Sequence, residues 1–163
     1  MNNHIHQLFK ADQSDRKDPE IRMNSRLLSK NDKDRKKSLI NILKENENLT
    51  GRDYYFSAFI FHHGPTIKDS ITAMEFSEKS FKLGYKKALK FYALCLDRLL
   101  TKQGKKQKFG TQYWKKNPKS KWQLMPYDKK TTDEERKRYN VASLDELVKH
   151  VEQLNKNLSR IKK

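Results

Sequence analysis

Residues 85–114, YKKALKFYALCLDRLLTKQGKKQKFGTQYW, join the clearest helix in the chain to a loop that packing alone does not require. Leu89, Ala93, Leu96 and Leu100, with Tyr85, Tyr92 and Leu99, recur at three- and four-residue steps and form one continuous apolar arc. At about 100° per residue Asp97 falls at the edge of that arc, and Arg98 points a further step round, over Leu94 and Phe91. Gly104 stops the helix as a C′ glycine. A short loop of amide and hydroxyl groups follows, Gln107-Lys108-Phe109-Gly110-Thr111-Gln112, set between aromatic residues. The pattern points to a mainly α fold. It also points to a polar site beside the end of this helix.

On the N-terminal side the helical pattern continues. Ile5, Leu8 and Phe9 supply a face for a short first helix, on which Asp12 and Arg16 are four residues apart and able to pair. Pro19 ends it, because the residue before proline avoids the helical region. Residues 21–33 read as ragged and polar, and residues 35–49 as a second amphipathic helix broken at Asn46-Glu47-Asn48. Thr50 and Asp53 form a capping-box pattern for a third, largely apolar and aromatic helix that Gly64-Pro65 terminates. A fourth spans about 68–83. Ala73, Gly84 and Ala88 are small enough to let it pack against the helix of residues 85–103 as a central antiparallel hairpin, resembling one tetratricopeptide- or Sel1-like unit. No second copy occurs at the repeat period.

Beyond Gln112 lies an irregular basic stretch with Trp114, Trp122, Leu124, Met125 and Tyr127 as anchors, where Pro118 and Pro126 favour extended segments or a short hairpin. Thr132-Asp133-Glu134-Glu135 and Ser143-Leu144-Asp145-Glu146 then start two further helices, the last with a clean apolar seam. No segment alternates with period two.

The length, 163 residues, fits one helical domain over 1–163, with a basic polar loop region at 102–130 and a basic tail at 155–163. Apolar residues make up 34% and charged residues 35%, so the core must be modest and aromatic-rich. No run of eighteen apolar residues occurs, which excludes a helical membrane span. The N-terminus carries acids and no apolar signal core, so a cytoplasmic location is expected. The single cysteine, Cys95, sits among apolar neighbours and reads as a reduced, inert thiol. The net charge of +17 invites an anionic partner, a small molecule or a nucleic acid, and equally fits a lysine-rich surface.

The order of these motifs resembles a family of mostly bacterial proteins of unknown function. Its marks are D-Q-x-x-R, H-G, D-R, a G-x-x-Q-x-[YF]-G-T-Q loop and a late D-x-x-R. They stand here as Asp12-Gln13-Ser14-Asp15-Arg16, His63-Gly64, Asp97-Arg98, Gly104 to Gln112, and Asp133-Glu134-Glu135-Arg136. Phe109 replaces the commoner tyrosine, and His62 the commoner glutamine. The resemblance implies that these polar positions belong together and brings no activity with it.

Their chemistry defines the expectations. Asp12, His63 and Asp97 are candidate acid–base groups, with Asp97 placed where a carboxylate is partly desolvated yet reachable. Gln13, Arg16, Arg98, Gln107, Gly110, Thr111, Gln112 and Arg136 are candidate ligand-binding groups, the arginines suited to a phosphate or carboxylate. The competing account is a buried hydrogen-bond network that holds a small helical core together. No metal site is expected, since the adjacent His62 and His63 diverge and thiolate clusters are excluded; no cofactor motif occurs. The expected function is a small enzyme or binder acting on a phosphorylated or nucleotide-like ligand. One alternative is a basic RNA- or DNA-binding module using Lys105, Lys106, Lys108, Lys115, Lys116, Lys119 and Lys121 with Trp114 and Trp122. Another is a helical adaptor for a protein partner.

Overall fold

In the computed structural model of the protein, which describes residues 1–117 and 120–160, the chain is mainly helical, with eight helices and one two-stranded ribbon among the described residues. It divides into two compact units, Met1–Ala88 and Leu89–Lys163. None of the described helices is long and apolar enough to cross a membrane.

In the first unit the helix starts are set by side-chain caps. Asn2 accepts from the amides of His4 and Ile5 to open α1 (Asn3–Lys17), and Asp18 accepts from Glu20 and Ile21 to open α2 (Pro19–Met23). Asn24 then caps α3 (Ser25–Glu45). Residues 21–33, read from sequence as ragged, are thus helical almost throughout. Their polar residues are not solvent filler, since Asn31 and Asp32 bond across to α1 and periodicity in apolar residues could not reveal them. Thr50 and Asp53 form the expected capping box of α4 (Gly51–His62), and Thr66 with Asp69 forms a second for α5 (Ile67–Lys82).

The aromatic face of α4 is the centre of this unit. Phe56 stacks on Phe9 at 4.3 Å between ring centroids, while Tyr54 and Phe61 meet Phe76 edge-on at 5.3 and 5.5 Å. Helices α4 and α5 run antiparallel: the start of α4 lies on the end of α5, with the Ser80 hydroxyl donating to the Gly51 carbonyl. A Cβ at Gly51 would press on the backbone of Ser80 and Leu83, so glycine is what allows that approach. The antiparallel partner of α5 within this unit is therefore the helix before it.

In the second unit α6 (Ala88–Lys102) begins three residues later than the apolar arc suggests, and Gly104 ends the segment with φ +72°. The basic stretch forms the expected short hairpin, β1 (Tyr113–Trp114) paired antiparallel with β2 (Gln123–Leu124). Helices α7 (Asp133–Arg138) and α8 (Leu144–Arg160) follow, the first capped by Thr132 and the second by a Ser143–Glu146 box. Ala93, Phe109 and Val141 are buried together, with Leu96, Tyr139 and Leu147 packed around them.

The α4–α5 turn yields a stability prediction. A Cβ added at Gly64 would overlap the Asp69 carboxyl group, which closes the α5 capping box and pairs with Lys36 at 3.0 Å. Gly64→Ala is expected to cost about 3 kcal/mol in urea unfolding, the upper end of ordinary overpacking.

Candidate functional site

The first unit gathers its charged residues where α1, α3 and the end of α4 meet. Asp12, on the inner face of α1, is 1% exposed. Its Oδ1 takes the Nδ1–H of His63 at 2.9 Å and a guanidinium nitrogen of Arg16 at 2.9 Å, and its Oδ2 accepts from the Gln13 amide at 2.8 Å. Arg16 reaches on to both oxygens of Asp32 on α3, at 3.0 and 2.9 Å. Arg35, also on α3, returns the link with 2.6 Å to Asp15 and 2.7 Å to Asp32. The cluster holds the carboxylates of Asp12, Asp15 and Asp32 against the guanidiniums of Arg16 and Arg35, which leaves one negative charge beside His63.

Burial pushes the Asp12 carboxyl up, but the hydrogen bond and charge of His63, then Arg16 and Gln13, more than offset it and hold the group below its ordinary 3.8. The same balance of burial against donors lowers Asp15 through Arg35 and Asn31, and Asp69 through Thr66 and Lys36.

His63 opens on a cleft of about 510 Å³ that Arg22, Ser25, Ser29, Lys33 and Lys36 also line, together with Asp32, whose charge Arg16 and Arg35 meet. Its Nδ1 is held by Asp12, so Nε2 is the ring nitrogen left for a ligand. Lys36 is bound to Asp69, whereas Arg22 and Lys33 are exposed and have no carboxylate partner among the described residues. The cleft thus sets two cations without carboxylate partners near an oriented imidazole. Among the described residues no group of three or more His, Cys, Asp or Glu side chains is arranged to hold a metal ion. The site carboxylates are already engaged by guanidinium, imidazole and amide groups.

The second unit contains the other half of the expected set, and there the outcome differs. Asp97 is wholly buried rather than lying at a reachable boundary. Its Oδ1 accepts from the amides of Lys108 and Phe109 at 2.7 and 2.9 Å, and its Oδ2 from the amide and hydroxyl of Thr111, both at 2.9 Å. The loop wraps the carboxylate so that its N–H groups form a concave anion site, which the chain fills itself. Gln107, also fully buried, donates to the carbonyls of Gln112 and Met125 at 2.9 Å each and accepts from the Gln112 amide at 2.7 Å. Gln112 itself bonds Thr111 and the Leu94 carbonyl. Gly110 supplies the turn with φ +90°. Arg136, 2% exposed, clasps the Phe109 and Thr131 carbonyls and pairs with Asp133. Asp97, Gln107, Gly110, Thr111, Gln112 and Arg136 are therefore one folding lock. Arg98 is half-buried on α6 beside it.

Of the basic set, Lys108 pairs with Glu135 at 2.6 Å and Lys115 sits over the Trp122 ring at 4.8 Å. Lys105, Lys106, Lys116, Lys121 and Trp114 are exposed, and Lys119 lies outside the described residues. Sequence reading missed Asp15, Asp32, Arg35 and the cleft cations. The signal for them was a polar face: Asp12, Asp15 and Arg16 on α1 opposite Asp32, Arg35 and Lys36 on α3, at three- and four-residue spacing.

No family model, no curated protein and no solved structure matches the chain.

Two outcomes are expected. Asp97→Asn turns an acceptor into a donor facing N–H groups and should lower stability by about 3 kcal/mol in urea titration. Asp12, Asp15 and Asp69 ionise more readily folded than unfolded, so their contribution is complete above the unfolded value and lost as pH falls through the folded one. Unfolding followed by circular dichroism should therefore show stability steady from pH 7 to about 5 and falling steeply below about pH 4. Asp12→Asn should flatten that acid limb.

Proposed function

We propose that the first unit binds an anionic, phosphorylated small molecule in the cleft beside His63, and that the Asp12–His63 pair serves there in proton transfer. The observation that carries this is the imidazole itself, locked through Nδ1 to a buried carboxylate at 2.9 Å and set at the wall of the 510 Å³ cleft. A carboxylate on Nδ1 places the basic lone pair on Nε2, fixes the ring and stabilises the imidazolium formed when a proton arrives. Arg22 and Lys33 offer charge to the anion, and Ser25 and Ser29 offer hydroxyl donors from the first turns of α3, where the helix N-terminus favours negative charge.

A purely structural network accounts well for Arg16, Arg35, Asp15 and Asp32. It does not account for unpaired cations gathered with a histidine around an open cleft. We infer further that the D-Q-x-x-R and H-G elements of the bacterial family this chain resembles are the two halves of this site, since Asp12, which Gln13 and Arg16 hold, bonds His63 here. The α4–α5 pair carries His63 and Asp69 at its turn.

Thermal-shift screening of the full chain against inorganic phosphate, pyrophosphate, sugar phosphates and nucleotides tests the reading. Phosphorylated compounds should raise the midpoint of the parent and do so far less in Lys33→Ala and Arg22→Ala, whose exposed side chains leave the fold intact. With a turned-over compound in hand, His63→Asn should lower kcat by roughly 10²–10⁴. Equal shifts in parent and cation variants, or no shift with any compound, would retire the proposal.

A further inference from the structure

The ribbon of the second unit carries an aromatic residue that the fold does not use. Successive side chains of a strand point to opposite faces, so Tyr113 and Trp114 part company. Tyr113, 39% exposed, is on the face toward α8: its ring meets Trp122 at 5.5 Å and His150 of α8 at 5.5 Å. The Trp122 backbone is clamped to α8 from both sides, its N–H donating to Asn155 at 2.7 Å and its carbonyl accepting from the same amide at 3.0 Å. One face of the ribbon is thereby fastened. The other presents Trp114, 46% exposed, beside the exposed Gln123 with which it is paired in register. Trp114 has no ring partner among the described residues.

The surroundings of that indole are strongly cationic. Between Asp97 and Asp128 the sequence contains no carboxylate at all. Lys115 follows Trp114 directly and lies over Trp122, while Lys116 and Lys121 are exposed and have no acidic partner among the described residues. An exposed tryptophan on the ribbon, with a lysine beyond the end of β1 and another before the start of β2 and no carboxylate in the surrounding stretch of chain, offers a π-face for stacking and positive charge for a phosphate backbone.

We propose that this outer face of the ribbon binds single-stranded nucleic acid, with Trp114 stacking on an unpaired base and Lys116 and Lys121 following the backbone. A duplex is the poorer fit, because its bases already stack on each other and leave no face for the indole. The site is separate from the cleft of the first unit and does not depend on what that cleft binds.

Fluorescence anisotropy of the full chain with labelled U12 RNA and dT12 DNA, beside a 12-bp duplex and heparin, tests it. At 50 mM salt one or both single strands should bind, with a log–log salt slope of roughly −1.4, about −0.7 for each of two lysines. Preference for U12 would assign contacts to the 2′-hydroxyl, and equal binding would assign base and phosphate alone. Trp114→Ala should weaken binding by about 5- to 150-fold, and Trp114→Phe should retain most of it. In a Trp122→Phe variant Trp114 is the sole tryptophan, and its emission should be quenched as the oligonucleotide is added. Should that variant fail to fold, the anisotropy of Trp114→Ala decides, since an exposed ring without ring partners can be removed with little change in the thermal midpoint. No binding at 50 mM salt, equal binding by Trp114→Ala, or duplex or heparin held as tightly as the single strands would each overturn the proposal.

Discussion

A carboxylate withdrawn from water must be met by donors or cations, and this fold is arranged around the places where that happens. Asp12, Asp53, Asp69 and Asp97 are each 5% exposed or less. With apolar residues at 34% of the chain, hydrophobic burial alone leaves helix positions loosely specified, and these four groups supply the missing direction. Asp53 ties the Asn2 amide to the cap of α4, Asp69 closes the cap of α5 and draws in Lys36, and Asp12 links α1 to the end of α4. Remove one and its partners are left buried and unmatched, which is costlier than losing a contact.

Asp12 and Asp97 show how one residue type reaches two ends. Both are buried, both accept several hydrogen bonds, and both stand in motifs that look alike on paper. The donors of Asp97 are backbone amides and one hydroxyl of its own loop, so the carboxylate is closed off by what it organises. Among the donors of Asp12 is an imidazole with a second nitrogen and a cleft before it. The first arrangement has only a conformation to maintain. The second has a group whose proton can be exchanged with a ligand.

The caps, the helix stops and the ribbon were legible because each is written in a few adjacent residues: Thr50 with Asp53, Gly104, Pro118 and Pro126 around Trp122. The helical state of residues 21–33 was not, because its reason lies in α1, sixteen residues away in the Arg16–Asp32 bond. For the same reason the grouping of Asp12 with His63 could be named from motif order, whereas Asp15, Asp32, Arg35 and the cleft cations could not. The place of Asp97 was misjudged by a turn-geometry argument alone. Helical angle set it at the edge of the apolar arc, but the loop that follows folds over that edge and covers it.

That covering has a consequence for how the irregular loop behaves in time. The amides of Lys108, Phe109 and Thr111 are bonded into Asp97 or held beside it, that of Gln112 into Gln107, and that of Gln107 into the Pro126 carbonyl. A stretch without helix or strand thus has four of its N–H groups tied to two side chains buried in the same unit. Deuterium can reach the amides of Lys108, Phe109 and Thr111 only when Asp97 lets go, so these three should exchange slowly and as one cooperative group, on the timescale of the helices rather than of a surface loop.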